Sequence, residues 1–366
     1  MRKGKSLKEL AIELTDIQDK KVDLIVPTAN MKMNPYGEIY LEGNKIPENA
    51  PAIMKPTTWA SSQIATYTNI PKAYYDRIHT EDPSILAMNV NHGLQMAINI
   101  ALAKKSQTSR LIRTVDNNIR GFLSSRYRML DSGDLLETIL PILQQYHFNV
   151  VSSELTEKRM YLKVTTDRIQ GEVKKGMVVQ YGLVISSSDV GCGSVRVEPL
   201  MYECFCDNGT ICQTSMRKFH VGKDQSSENI EALLSDATRT ADDEVFWRKT
   251  RDVVIGSMNE INFERELNLL KEANEVKIGN IGNLEQVVEL TMKEVGISGE
   301  KKKFKILEHL ANGADGRGHT KYGLSNAFTW AAHQVEEADY EECTELERAG
   351  GKIIVMPKKT WEAVAC

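Results

Sequence analysis

Five thiol- and imidazole-bearing residues lie in one stretch of the chain: Cys192, Cys204, Cys206, Cys212 and His220. Thiolates and imidazoles are the preferred ligands of zinc. The arrangement argues against a metal site. A C-x-C pair on a strand puts both sulfurs on one face, but the short knuckle spacing of zinc modules is absent. Cys204 and Cys206 also continue the apolar face begun by Leu200 and Tyr202, where cysteine behaves as a small hydrophobe. The expectation is no metal and no cofactor. Gly191-Cys192-Gly193-Ser194 offers a nucleophile between glycines, yet no G-x-S-x-G elbow is present, so it reads as a turn. The glycine-rich run from Gly313 to Lys321 carries Arg317, His319 and Lys321 ahead of a helix. It lacks the P-loop order of glycines before Lys-Ser/Thr; it reads as a loop and helix cap, of the kind that can receive an anion on free N–H groups. Asp242-Asp243-Glu244 points in several directions around a helix and reads as a solvated face.

The strongest signal for binding is electrostatic. Between Lys104 and Arg128 stand Lys104, Lys105, Arg110, Arg113, Arg120, Arg126 and Arg128 against Asp116, leaving +6 in a chain of net charge −4. Phe122 and Tyr127 are interleaved with these cations. Cations that follow phosphates and rings that stack on bases are what single-strand binding needs. Arg217-Lys218-Phe219-His220 forms a second, shorter basic segment.

The elements that must position these residues centre on Val178–His220. Val179, Tyr181, Leu183 and Ile185 alternate with Gln180, Gly182 and Ser186, the period-two pattern of a half-buried strand. Ser187, Ser188 and Asp189 followed by Gly191 and Gly193 supply turn chemistry, including residues that accept positive φ. The next strand changes phase at Pro199, which predicts a bulge or an edge there. Asp207-Asn208-Gly209 predicts a tight turn. Earlier, RLIRTV and IRGFLS flank Asp116-Asn117-Asn118 as a hairpin, and Met160, Leu162 and Val164 mark an inward strand face. Asp131 or Ser132 caps a helix kinked near Pro141. The fold class predicted is α+β: a central antiparallel sheet at 106–225 between helical regions. The front, 1–105, is irregular and helical, with a possible helix-turn-helix after Thr57. The back, 226–366, is helical and contains Glu336–Glu347 with seven acids, a stretch expected to be solvated.

Composition bounds the rest. At 366 residues, 41% hydrophobic and 26% charged, the chain has the make-up of a soluble globular protein. It has no apolar run near the ~20 residues of a membrane span and no apolar signal-peptide core at its start, so no membrane partner is expected. Six dispersed cysteines suit a reducing, cytoplasmic setting in a bacterial host rather than a disulfide framework.

Several strings taken together, IPKAYYDRI, PSILAMNVN, FLSSRYRMLDSGDLLETILPIL, SSSDVGCGSVRVEPLMYECFCDNG and KYGLSNAFTWAA, resemble the phage- and plasmid-borne family catalogued as domain of unknown function number 932. The resemblance spans about residues 55–335 in the family's order. It marks Tyr127, Arg128, Asp189–Gly193, Cys206–Gly209, His220, Asn326 and Thr329 as recurring positions, and it implies a mobile-element protein with no assigned chemistry. The order of elements also resembles phage single-strand annealing proteins of the Rad and Red-beta type. The leading expectation is therefore a nucleic-acid-binding protein, without catalysis, that associates with copies of itself. The alternatives are a metal-dependent hydrolase built on His220, Cys206 and Asp189, and an inhibitor of host defence that uses its acidic stretch as the contact.

Overall fold

The computed structural model describes residues 4–43, 46–104, 109–203, 208–212, 236–334 and 339–366. Two antiparallel-dominated sheets form its centre. The larger has the order β11-β10-β9-β8-β7, made of β7 (Asn149–Leu155), β8 (Met160–Lys174), β9 (Met177–Ser187), β10 (Arg196–Glu203) and β11 (Asn208–Ile211). The smaller has the order β1-β5-β6-β4, from β1 (Lys21–Pro27), β4 (Lys55–Pro56), β5 (Ser109–Val115) and β6 (Asn118–Ser124), while β2 (Met31–Met33) and β3 (Ile39–Leu41) pair as a separate ribbon. The architecture is α+β, with helices at both ends of the chain.

The small sheet closes on a tight hairpin. Val115 pairs with Asn118, and the two intervening residues, Asp116 and Asn117, both have positive φ. That is the turn whose twist matches paired strands, and aspartate and asparagine tolerate it. One sheet face, with Leu24, Val26, Ile112, Ile119 and Phe122, packs beneath α2 (Thr58–Tyr67), α3 (Lys72–Glu81) and α4 (Pro83–Ala103). The segment after Thr57 is thus two helices that cover a sheet.

The large sheet is buried on both faces. Met160, Leu162, Val164, Val179, Tyr181, Leu183 and Ile185 line the main core. That core is completed by α1 (Leu7–Lys20), α5 (Ser132–Gln145), α6 (Asp236–Ser257) and α7 (Glu260–Glu275). The opposite face meets α10 (Lys321–Gln334) and α11 (Tyr340–Ile354), where Val184, Leu200 and Ile211 form a small cluster. Gly351 of α11 lies so close to the sheet that a Cβ there would strike the Ile211 carbonyl oxygen. α10 and α11 then join α8 (Leu284–Val295), α9 (Glu300–Ala311) and α12 (Lys358–Ala365) in a separate helical core.

Two local expectations are corrected. No bulge occurs at Pro199: β10 pairs with β9 without interruption from Arg196↔Ser186 to Glu203↔Val179. Val197 and Met201 share the main core while Leu200 faces the helices opposite, so apolar residues on both faces imitated a change of phase. Proline is tolerated because its nitrogen faces the end of the short β11, where Cys212 N donates to Pro199 O at 2.8 Å. Asn208 and Gly209 do not turn the chain; they pair with Glu203 and Tyr202 as the start of β11. Asp207 lies outside the described residues.

Candidate functional site: the central turn and its clamps

The link from β9 to β10 is where the two sheets meet. Gly191 and Gly193 hold φ of +80 and +100, a backbone region open to glycine and costly for most side chains. Ser188 Oγ accepts from Cys192 N at 2.8 Å and organises the link from within. The remaining contacts come from distant elements. Trp59 Nε1 and Gln63 Nε2 of α2 both donate to Val190 O at 2.8 Å. Gln63 Oε1 accepts from Phe122 N at 2.7 Å, so one side chain ties the turn to β6. Tyr127 OH donates to Ser188 O at 3.0 Å. Arg159 donates to the carbonyls of Cys192 and, at 2.8 Å, Ser194.

Arg113 is the main clamp. It donates to both carboxylate oxygens of Asp23 at 2.9 Å, lies 2.8 Å from Asp131, and donates to Asp189 O at 2.8 Å. Two-pronged guanidinium–carboxylate pairs of this kind combine strength with geometric specificity. Lys21 Nζ completes the cluster 2.6 Å from Asp131. Burial would raise the Asp131 carboxyl, but the charges of Arg113 and Lys21 outweigh it and hold the group below its ordinary range.

Asp189 plays a different part. Its Oδ1 accepts from Ser132 N at 2.9 Å and from Ser132 Oγ at 2.6 Å. The turn therefore caps the N-terminus of α5, which favours a carboxylate by its free N–H groups and dipole. Asp131, the residue before α5, leaves that role vacant because its carboxylate faces Arg113 and Lys21. Burial pushes the Asp189 carboxyl up.

The basic run divides in two. Arg113 is buried and paired. Arg110 is half-buried, with its guanidinium 4.5 Å from the Tyr67 ring centroid and 5.0 Å from that of Phe122. Arg128 pairs with Asp243. Phe122 is in the front core, and Tyr127 is half-buried with its hydroxyl bound to the turn. Arg113 and Phe122 are thereby corrected from ligand contacts to internal fastenings, and Arg110, Tyr127 and Arg128 have partners within the protein. Lys104 and Arg126 are exposed and Arg120 is half-exposed, and none has a carboxylate at ion-pair distance among the described residues. Lys105, Arg217, Lys218, His220, Cys204 and Cys206 lie outside the described residues.

Other suspected sites are also fastenings. Arg317 of the glycine-rich loop and Tyr322 of α10 both contact the Glu203 carboxylate on β10, and all three side chains are buried. Burial, with Asp315 nearby, pushes Glu203 up to about 8. Lys321 Nζ donates to Met356 O at 2.8 Å. The described part of the acidic stretch, from Asp339 on, is not a solvated tail: Glu341 pairs with Lys158, Glu342 with Lys302, Glu345 with Arg348 and Glu347 with Lys163, while Glu336 and Glu337 lie outside the described residues. Among the described residues, no three histidine, cysteine, aspartate or glutamate side chains gather as a metal-holding group.

Sequence reasoning did not single out Lys21, Asp23, Trp59, Gln63 or Arg159. Their partners are backbone carbonyls or charges far along the chain, and no local pattern marks them. No family model, curated protein or solved structure matches this chain, so its function is argued from its own residues.

Proposed function

We propose that this chain is a non-catalytic nucleic-acid-binding protein of a phage or plasmid, belonging to the family it resembles, that holds single strands through their phosphates. The supporting observation is the division of the basic run. Once Arg113 and Arg128 are assigned to internal carboxylates, Lys104 and Arg126 remain exposed and Arg120 half-exposed, none with a carboxylate at ion-pair distance among the described residues, although Arg120 lines the same recess as Asp189 and feels its charge. Stacking has lost its support, because Tyr127 and Phe122 are engaged inside the protein. Binding by charge alone is weak, sequence-independent and salt-sensitive.

The test is fluorescence anisotropy of a labelled oligothymidine at low salt. Arg120→Glu combined with Arg126→Glu should weaken binding at least tenfold, and Arg126→Glu alone, at an exposed site, should weaken it while leaving the melting temperature unchanged; lysine at both positions should preserve binding. Wild-type affinity in the glutamate variant, or no binding by the wild type, would overturn the reading.

A further inference from the structure

The helix α4 contains no charged residue, and His92 is its one ionisable side chain. Its inner face, with Leu86, Ala87, Val90 and Leu94, packs in the front core. Its outer face is largely apolar, with the uncharged polar residues Ser84, Gln95 and Asn99 exposed beside it. Ile85, Met88, Met96 and Ile100 are 44%, 72%, 50% and 52% exposed, and Leu102 is 65% exposed. Spacings near three and four residues align Ile85, Met88, Met96 and Ile100, with His92 between, along a helix about 31 Å long; Leu102 stands off that line. A long, exposed and largely apolar helix face, with His92 at its centre and no charge along it, is the signature of a surface that is covered in use.

We infer that this stripe is a dimerisation seam, covered by α4 of a second copy of the chain running antiparallel. Three observations select that occupant. The helix offers no charge to an acidic or basic peptide, whereas a second apolar stripe matches it throughout. The exposed order Ile85, Met88, His92, Met96, Ile100 reads alike from either end, so a two-fold axis near His92 sets isoleucine against isoleucine and methionine beside methionine. Such an isologous contact closes on itself as a dimer. The charges at the rim agree: Glu81, two residues ahead of the helix's first residue, and Lys104, just after its last, are both exposed. Antiparallel pairing brings Lys104 beside Glu81 of the second copy at each end, while parallel pairing would bring like charges together.

The inference does not rest on nucleic-acid binding. Lys104 could serve either a carboxylate across the seam or a phosphate; Arg120 and Arg126, used to test the function, are not on this helix. One helix face supplies less than the roughly 800 Å² per partner of a standard stable interface, so a dissociation constant in the micromolar range is expected.

Sedimentation velocity of the full chain across a concentration series provides the test. The wild type should pass from monomer to dimer in the micromolar range. Met88→Glu or Met96→Lys alone should each weaken the dimer at least tenfold, because a charge would enter an apolar seam; both sites are exposed, and unchanged melting confirms the fold. The two together should restore most of the affinity, because the carboxylate placed at 88 then lies beside the ammonium placed at 96 of the second copy. A wild type that stays monomeric, single variants that dimerise normally, or a double variant no better than the singles would overturn the seam.

Discussion

Gly191 shows how much one residue can require. An added Cβ would stand 2.6 Å from Leu123 Cδ2, in a backbone conformation of positive φ. Gly191→Val should therefore destabilise the protein by about 1–3 kcal/mol from strain alone, seen as a lower melting temperature. An unchanged melt would remove the turn from its structural role. Arg113 carries more. Arg113→Met leaves the half-buried Asp23 and Asp131 without their main partner, and the loss should be about 3 kcal/mol. The pH dependence has a definite sign. Asp131 is held below its ordinary 3.8 in the folded protein. Its contribution is thus present above that value and lost as the pH falls through its lower folded value. The stability gap between wild type and variant should narrow in that acid range; a constant gap would mean that Asp131 is not coupled to Arg113. The glycines were readable because a turn is written in adjacent residues. The role of Arg113 was not, because Asp23 is 90 positions away in the sequence.

At the scale of elements, alternation revealed β8 and β9 but hid what covers their second face. Met160, Leu162 and Val164 point to the main core as their spacing predicts. Lys163 falls on the opposite face, where a polar residue suggests solvent. Instead, α11 covers it: Lys163 and Glu347 are 1% and 0% exposed and lie 2.5 Å apart, with the lysine ammonium over the Tyr340 ring. The same covering produced the false change of phase at Pro199. A buried ion pair is strongly destabilising to break and cheap to replace whole. Lys163→Met alone should cost about 3–5 kcal/mol, and adding Glu347→Leu should recover most of it. Chemical denaturation of the three proteins decides the matter. If the double variant is no more stable than the single one, the pair is not the unit that joins sheet to helix.

At the scale of the molecule, the fold class was legible because strand and helix periods differ so plainly along the chain. Charge was read correctly in amount and wrongly in direction. A count of cations cannot separate those that face solvent from those that join one element to another. Arg113, Arg128, Arg317 and Arg348 all join elements, the last through Glu198 of β10. No helix among the described residues is long and apolar enough to cross a membrane.

The salt dependence of single-strand binding tests the division of the basic run most directly. Each phosphate contact contributes a log–log slope of about 0.7, so three open cations predict a slope of about 2. A slope near 5 would require all seven cations between Lys104 and Arg128 to contact phosphates. That result, or the absence of binding at low salt, would contradict the account.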